Sequence, residues 1–128
     1  MKILQVAPEK SPEIVDIDGS LKSLQAAVGG YIAAAYPWDD PVAIVCHDDG
    51  KFNGLAPNRA IYDTDGEIVD IIAGTFLIVG LTDDNFGDLP DELARKYANL
   101  FAVPECFLRS GDHILVFPMA SDPDACPF

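Results

Sequence analysis

The chain has 128 residues, 49% of them hydrophobic, with 21 acidic against 8 basic side chains and a formal net charge of −13. That size suits one compact domain burying roughly two-thirds of the surface its unfolded chain exposes, and the apolar content argues against extensive disorder. So acidic a surface repels phosphate backbones and anionic lipid headgroups, which argues against direct nucleic acid or membrane binding and favours basic protein surfaces and cations.

In chain order, residues 2–7 read as an opening strand that Pro8 and Ser11-Pro12 end. Residues 13–17 alternate polar and apolar, which suits a hairpin partner for it. Asp18 and Ser20 are good helix caps, Leu21, Leu24 and Val28 follow at helical spacing, and Gly29-Gly30 ends the helix. Residues 31–36 form a further strand, Pro37-Trp38-Asp39-Asp40-Pro41 a turn, and 42–47 a buried strand. Asp48-Asp49-Gly50-Lys51 and Asn53-Gly54 are tight-turn signals. Pro57-Asn58-Arg59-Ala60 looks like a helix start, or a short helical turn, with proline near its first position.

Asp63-Thr64-Asp65-Gly66 is another turn. Residues 68–72 fit strand or helix equally, whereas 75–81 is a clear strand. Thr82-Asp83-Asp84 begins a short helix or turn. A second main helix opens at Pro90-Asp91-Glu92, with Leu93, Tyr97, Leu100 and Phe101 expected on one face. Residues 106–108 and 113–117 suit two closing strands. The expectation is a single α+β domain over residues 1–120, with a mixed or antiparallel sheet of about five to seven strands, two main helices and an irregular tail at 121–128.

The cell compartment can be read from what the chain lacks. No apolar run approaches the roughly 20 residues that span a bilayer. Met1 to Pro8 is too soon interrupted for a signal peptide. Cys46, Cys106 and Cys126 are an odd set without close spacing, which points to a reducing interior. A cytoplasmic protein is expected.

Catalytic patterns are weak. No Gly-x-Ser-x-Gly turn is present, and Cys46 and His47 are strand neighbours that point to opposite faces. Cys46, His47, Cys106 and His113 lack the paired spacing of a zinc site. Asp63-x-Asp65-Gly66 has its glycine too early for a calcium loop. Gly29-Gly30 follows a helix instead of opening one, so it makes no phosphate cradle. The expectation is a protein that is not an enzyme and needs no metal or cofactor.

Two stretches remain as candidate binding elements. Gly29-Gly30-Tyr31-Ile32 lets a ligand approach the backbone beside an aromatic ring. Asn58-Arg59 pairs an amide with a planar cation, a natural anchor for a carboxylate or phosphate.

These stretches, with Asp48-Asp49-Gly50-Lys51, the run from Gly54 to Ala60 and that from Ile72 to Gly80, resemble the family catalogued as domain of unknown function 3846. The similarity covers about residues 1–81. Where members typically carry an acid after the Gly-Gly-Tyr-Ile run, this chain has Ala33. The resemblance implies no established activity. It does imply a setting in phages, plasmids and gut Firmicutes, whose small accessory proteins often counter host defence, so the cytoplasm in question would be that of the host. It also marks Asn58-Arg59 as part of a family motif.

The expected function is therefore capture of a small polar, nucleotide-like ligand by Gly29, Gly30, Tyr31, Trp38, Asn58 and Arg59. Tyr31 or Trp38 would stack on a base and Arg59 would hold the anionic group. An acidic mimic of nucleic acid that inhibits a basic host defence protein is the alternative, and a metal-dependent phosphodiesterase acting through acids alone is a third reading.

Overall fold

The computed structural model describes residues 1–49, 54–83 and 85–118. Among these, the elements run β1 (Lys2–Val6), β2 (Glu13–Asp16), α1 (Leu21–Val28), β3 (Ile32–Ala35), β4 (Val42–His47), β5 (Pro57–Tyr62), β6 (Ile68–Ala73), β7 (Phe76–Leu81), β8 (Phe86–Gly87), α2 (Asp91–Leu100), β9 (Glu105–Ser110) and β10 (His113–Pro118). The main sheet has the order β2-β1-β7-β4-β3, with β8 also on β7. β5–β6 and β9–β10 are separate hairpins, and the pairings are antiparallel throughout. The domain is α+β, as its sequence implies.

Side-chain alternation in β1, β4 and β7 divides the interior in two. Ile3, Ala43, Val45, Leu77 and Val79 meet Leu24 and Val28 of α1. Their neighbours Leu4, Val6, Val42, Ile44, Phe76 and Ile78 meet Ile61 and Ile72 of the β5–β6 hairpin and Ala94, Tyr97 and Phe101 of α2. Both faces of the sheet are covered, so its central strands are apolar on both sides, each buried Leu, Ile or Phe contributing about 1.5–3 kcal/mol. No helix among the described residues is long and apolar enough to cross a membrane.

Local chemistry fixes both ends of α1. The Ser20 hydroxyl accepts from the Ser23 amide at 3.1 Å, and Asp18 accepts from the Ser20 amide at 2.7 Å and from the Ser23 hydroxyl. The Ser20 side-chain bond, with that of Ser23 and the Ser20 amide, lowers the Asp18 carboxyl from 3.8 to about 2. Because the folded value lies below the ordinary one, this cap supports the helix fully above the ordinary range and fades as pH falls from 3.8 toward 2. A carboxyl NMR titration should place the Asp18 midpoint near 2, and Asp18→Asn should remove the acid-dependent fraying of α1. At the other end Gly29, at φ 85°, donates to the Gln25 carbonyl at 2.8 Å in the left-handed conformation that favours glycine.

Three features depart from sequence expectation. Pro57 to Ala60 does not start a helix; proline opens β5, a place it tolerates because a first strand residue need not donate to the ladder. A register shift between Pro57 and Arg59 lets consecutive Asn58 and Arg59 both point inward, which a regular strand forbids. On α2, Leu100 is exposed while Ala94, Tyr97 and Phe101 are buried, so the apolar stripe lies one step away from the expected one. Cys106 is disulfide-bonded, so the odd cysteine count did not speak for three reduced thiols. Residues 68–72, ambiguous by period, lie in strand β6, and the two closing strands are longer than expected. Gly50, Lys51, Asn53 and Asp84 of the expected turns, and the 121–128 tail, lie outside the described residues.

Candidate functional site

The bulge in β5 makes Asn58 and Arg59 the two buried polar residues of the described chain, at 0% and 1% exposure. Asn58 Nδ2 donates to the carbonyls of Val6 and Gly74, both at 2.8 Å, tying β5 to the end of β1 and the approach to β7. Arg59 Nη1 donates to the Asn58 carbonyl at 3.1 Å and to its Oδ1 at 2.8 Å. Nη2 donates to the carbonyls of Lys10 at 2.7 Å and Phe101 at 3.0 Å, and Nε also reaches Phe101 at 3.3 Å. A guanidinium has five N–H donors, and each of these has an acceptor here.

Phe101 is the C-cap of α2, so the cation sits at the negative end of that helix's dipole. Burial lowers the pKa of Arg59 below its ordinary value, opposed by the nearby charge of Glu105. The guanidinium stays charged nonetheless, since arginine does not deprotonate in proteins. Arg59 is thus a buried cap and cross-brace, with no donor left for an incoming anion.

The paired glycines lie elsewhere. They close α1, on the sheet face opposite the one that carries Arg59. A Cβ on Gly30 would stand 2.4 Å from His47 Nε2, so this glycine makes room for the imidazole, whose Nδ1 accepts from the Asp49 amide at 3.0 Å. Tyr31 stands 77% exposed at the sheet edge. The six expected ligand residues therefore do not gather: Trp38 and Arg59 border one cleft, Asn58 is buried behind it, and Gly29, Gly30 and Tyr31 belong to another region.

That cleft, of about 640 Å³, lies between the 37–40 turn, β5 and the C-terminal half of α2. Trp38 is half-buried at its wall, its ring centroid 4.4 Å from that of Tyr97 and 6.0 Å from that of Phe101. Phe101 in turn meets Phe76 edge-on at 5.4 Å, so the aromatic wall is continuous with the core. Asp40 accepts from Lys96 Nζ at 2.6 Å and from the Tyr97 hydroxyl at 2.7 Å. These bonds, Lys96 first, hold its carboxyl below the usual range, and burial with the Asp40 charge pushes the Tyr97 phenol well up. Opposite, Glu105 accepts from the Ala60 amide at 2.9 Å and from the Tyr62 hydroxyl at 3.3 Å. Burial first, then Glu105, raises the Tyr62 phenol.

Asp39 and Asp63 also line the cleft, so it holds four carboxylates with Asp40 and Glu105. Its cations are Arg59, committed to carbonyls, and Lys96, committed to Asp40. The arrangement is an aromatic wall with fixed acceptors, suited to a flat group that donates hydrogen bonds and unsuited to a phosphate. Sequence reasoning missed Asp40, Tyr62, Lys96, Tyr97 and Glu105, which come from four separate elements. An aromatic beside two aspartates in the 38–40 turn was the available signal. Among the described residues no cluster of three or more His, Cys, Asp or Glu is placed to hold a metal ion. Asp63 instead closes its own turn, accepting from the amides of Asp65 and Glu67 at 2.9 Å each.

No curated protein and no solved structure matches this chain. A family match runs over residues 1–102, past the first 81 residues that carry the motifs and through α2 to the cap that Arg59 holds. The chain thus belongs to the family described as "Domain of unknown function (DUF3846)".

Proposed function

We propose that this domain binds a small, flat, polar ligand in the cleft beside Trp38, without acting on it chemically. The observation that carries this reading is the pairing of a half-buried indole with carboxylates whose positions are set by neighbouring donors. A ring stacked against Trp38 would turn its amino or imino edge to Asp40 and Glu105. The ligand class is nucleobase-like, but recognition runs through the ring, since Arg59 has no donor to offer a phosphate. In the mobile-element setting associated with the family, sequestering such a molecule would deprive a host defence system of its signal.

The chain has one tryptophan, so its fluorescence reports on the cleft directly. Titration with nucleosides and the matching nucleotides should give saturable quenching, at least as strong for the nucleoside. Calorimetry with Trp38→Ala should show that heat of binding lost. Absence of saturable change with every nucleobase and with free amines at millimolar concentration would remove this reading.

A second reading, capture of a basic protein, draws on the net charge of −13 and on the exposed Asp63, Asp65, Glu67 and Asp70 at one end of the β5–β6 hairpin. It requires a partner whose capture weakens steeply with salt, whereas nucleoside binding to the cleft would change little.

A further inference from the structure

The two outer strands of the main sheet are finished differently. β2 carries Glu13 and Asp16 and is preceded by Pro8 and Pro12, the charges and prolines that ordinarily prevent a sheet edge from pairing with another chain. β3 carries no charge, and the proline nearest to it, Pro37, lies beyond its end. The strand lies within residues 23–38, the longest uncharged run in the sequence, and with one flanking residue on each side reads Tyr31-Ile32-Ala33-Ala34-Ala35-Tyr36. Tyr31 and Tyr36 are 77% and 61% exposed.

The ladder shows which backbone groups face outward. The Asp48 amide donates to the Tyr31 carbonyl at 2.9 Å, and the register pairs Ile32 with His47, Ala33 with Cys46, Ala34 with Val45 and Ala35 with Ile44. In an antiparallel pair the bonded residues alternate, so Tyr31, Ala33 and Ala35 turn their N–H and C=O toward β4. Ile32 and Ala34 turn theirs away from the sheet, and the same alternation carried one residue past β3 would turn those of Tyr36 outward. We propose that β3 is a self-pairing edge, whose partner is β3 of a second copy of this chain.

A two-fold axis at Ala34 makes the outward groups self-complementary. Ala34 then faces Ala34 of the other copy, and Ile32 of each faces Tyr36 of the other, an aliphatic-to-aromatic cross-strand pair. All three outward-turned residues find partners at once, and the smallest of them falls on the axis, where two copies come closest. The two main sheets would join edge to edge, and because the pairing consumes the open edge, association stops at two. Each copy carries a charge of −13, so the copies repel except along this uncharged strip, and added salt should strengthen the dimer.

Sedimentation velocity across a concentration series tests the proposal. The expected result is a mass that rises from 13.8 kDa toward twice that value, with a larger dimer fraction at higher sodium chloride. Ala34→Pro removes an outward N–H and leaves the β3–β4 ladder intact, and Ala34→Lys places two like charges on the axis; both should stay monomeric. Circular dichroism of each variant confirms that the monomer is folded, and the lysine variant suffices if the proline one is not. A wild-type mass fixed at 13.8 kDa throughout, a species larger than a dimer, or a dimer that folded Ala34→Lys leaves unchanged would each overturn the proposal.

Discussion

Replacing Arg59 with alanine is expected to destabilise the fold by about 3–5 kcal/mol, the range for removing one partner from a buried charged network. The substitution leaves the buried carbonyls of Phe101 and Asn58 without their donor, each an unmet acceptor worth about 1–3 kcal/mol before relaxation, and frees the part-buried carbonyl of Lys10. It also removes the positive charge from the end of α2. Arg59→Lys should recover only part of this, because an ammonium has three donors on one atom and cannot span Phe101, Lys10 and Asn58 together. Urea unfolding of the three proteins checks the order wild type, lysine, alanine. A loss below about 1 kcal/mol for alanine would mean that the brace is dispensable. Weaker nucleobase binding in this variant should track the unfolded fraction, whereas Trp38→Ala should lose binding while folded.

Gly80→Ala should be comparably damaging for a steric reason. Its Cβ would lie 2.0 Å from the carbonyl oxygen of Asp88 and 2.9 Å from the carbonyl carbon. Those atoms are backbone, so no rotamer change relieves the clash. β8 must leave β7, where Gly80 faces Gly87, or the central strand must shift. The cost should reach about 3 kcal/mol or more, at the upper end of overpacking effects. Hydrogen exchange should show where the strain goes. The Leu89 amide, which donates to the Lys2 carbonyl at 2.8 Å, and the Lys2 amide, which donates to Asp88 at 2.7 Å, should lose protection first.

Much of the fold was legible in local chemistry. The caps at Asp18, Ser20 and Gly29, the hairpin of β1 with β2, the apolar runs of β4 and β7 and the acidic start of α2 all answer to rules that operate within a few residues. β5 was misread because proline fits the first turn of a helix as well as the first residue of a strand, and a bulge leaves no signature in periodicity. The site was less legible still. Arg59 belongs to a scarce set of cations, and scarcity suggests a ligand; beyond its neighbour Asn58, its acceptors are backbone carbonyls of two distant segments, at Lys10 and Phe101, which no residue type announces. The same distance in sequence hid the cleft, where Asp40 meets Lys96 and Tyr97, and Tyr62 meets Glu105.

The place of β1 between β2 and β7 also governs how the chain can be made. β1 leaves the ribosome well before β7, yet its partner beyond the local hairpin spans residues 76–78 of β7. Until that stretch emerges, β1 and β4 each present an open apolar border, and closing the gap requires a large loop to be drawn together. Maturation should therefore be late and abrupt, with β7 as the closing piece. A nascent chain stalled before it would expose the sticky borders that chaperones recognise.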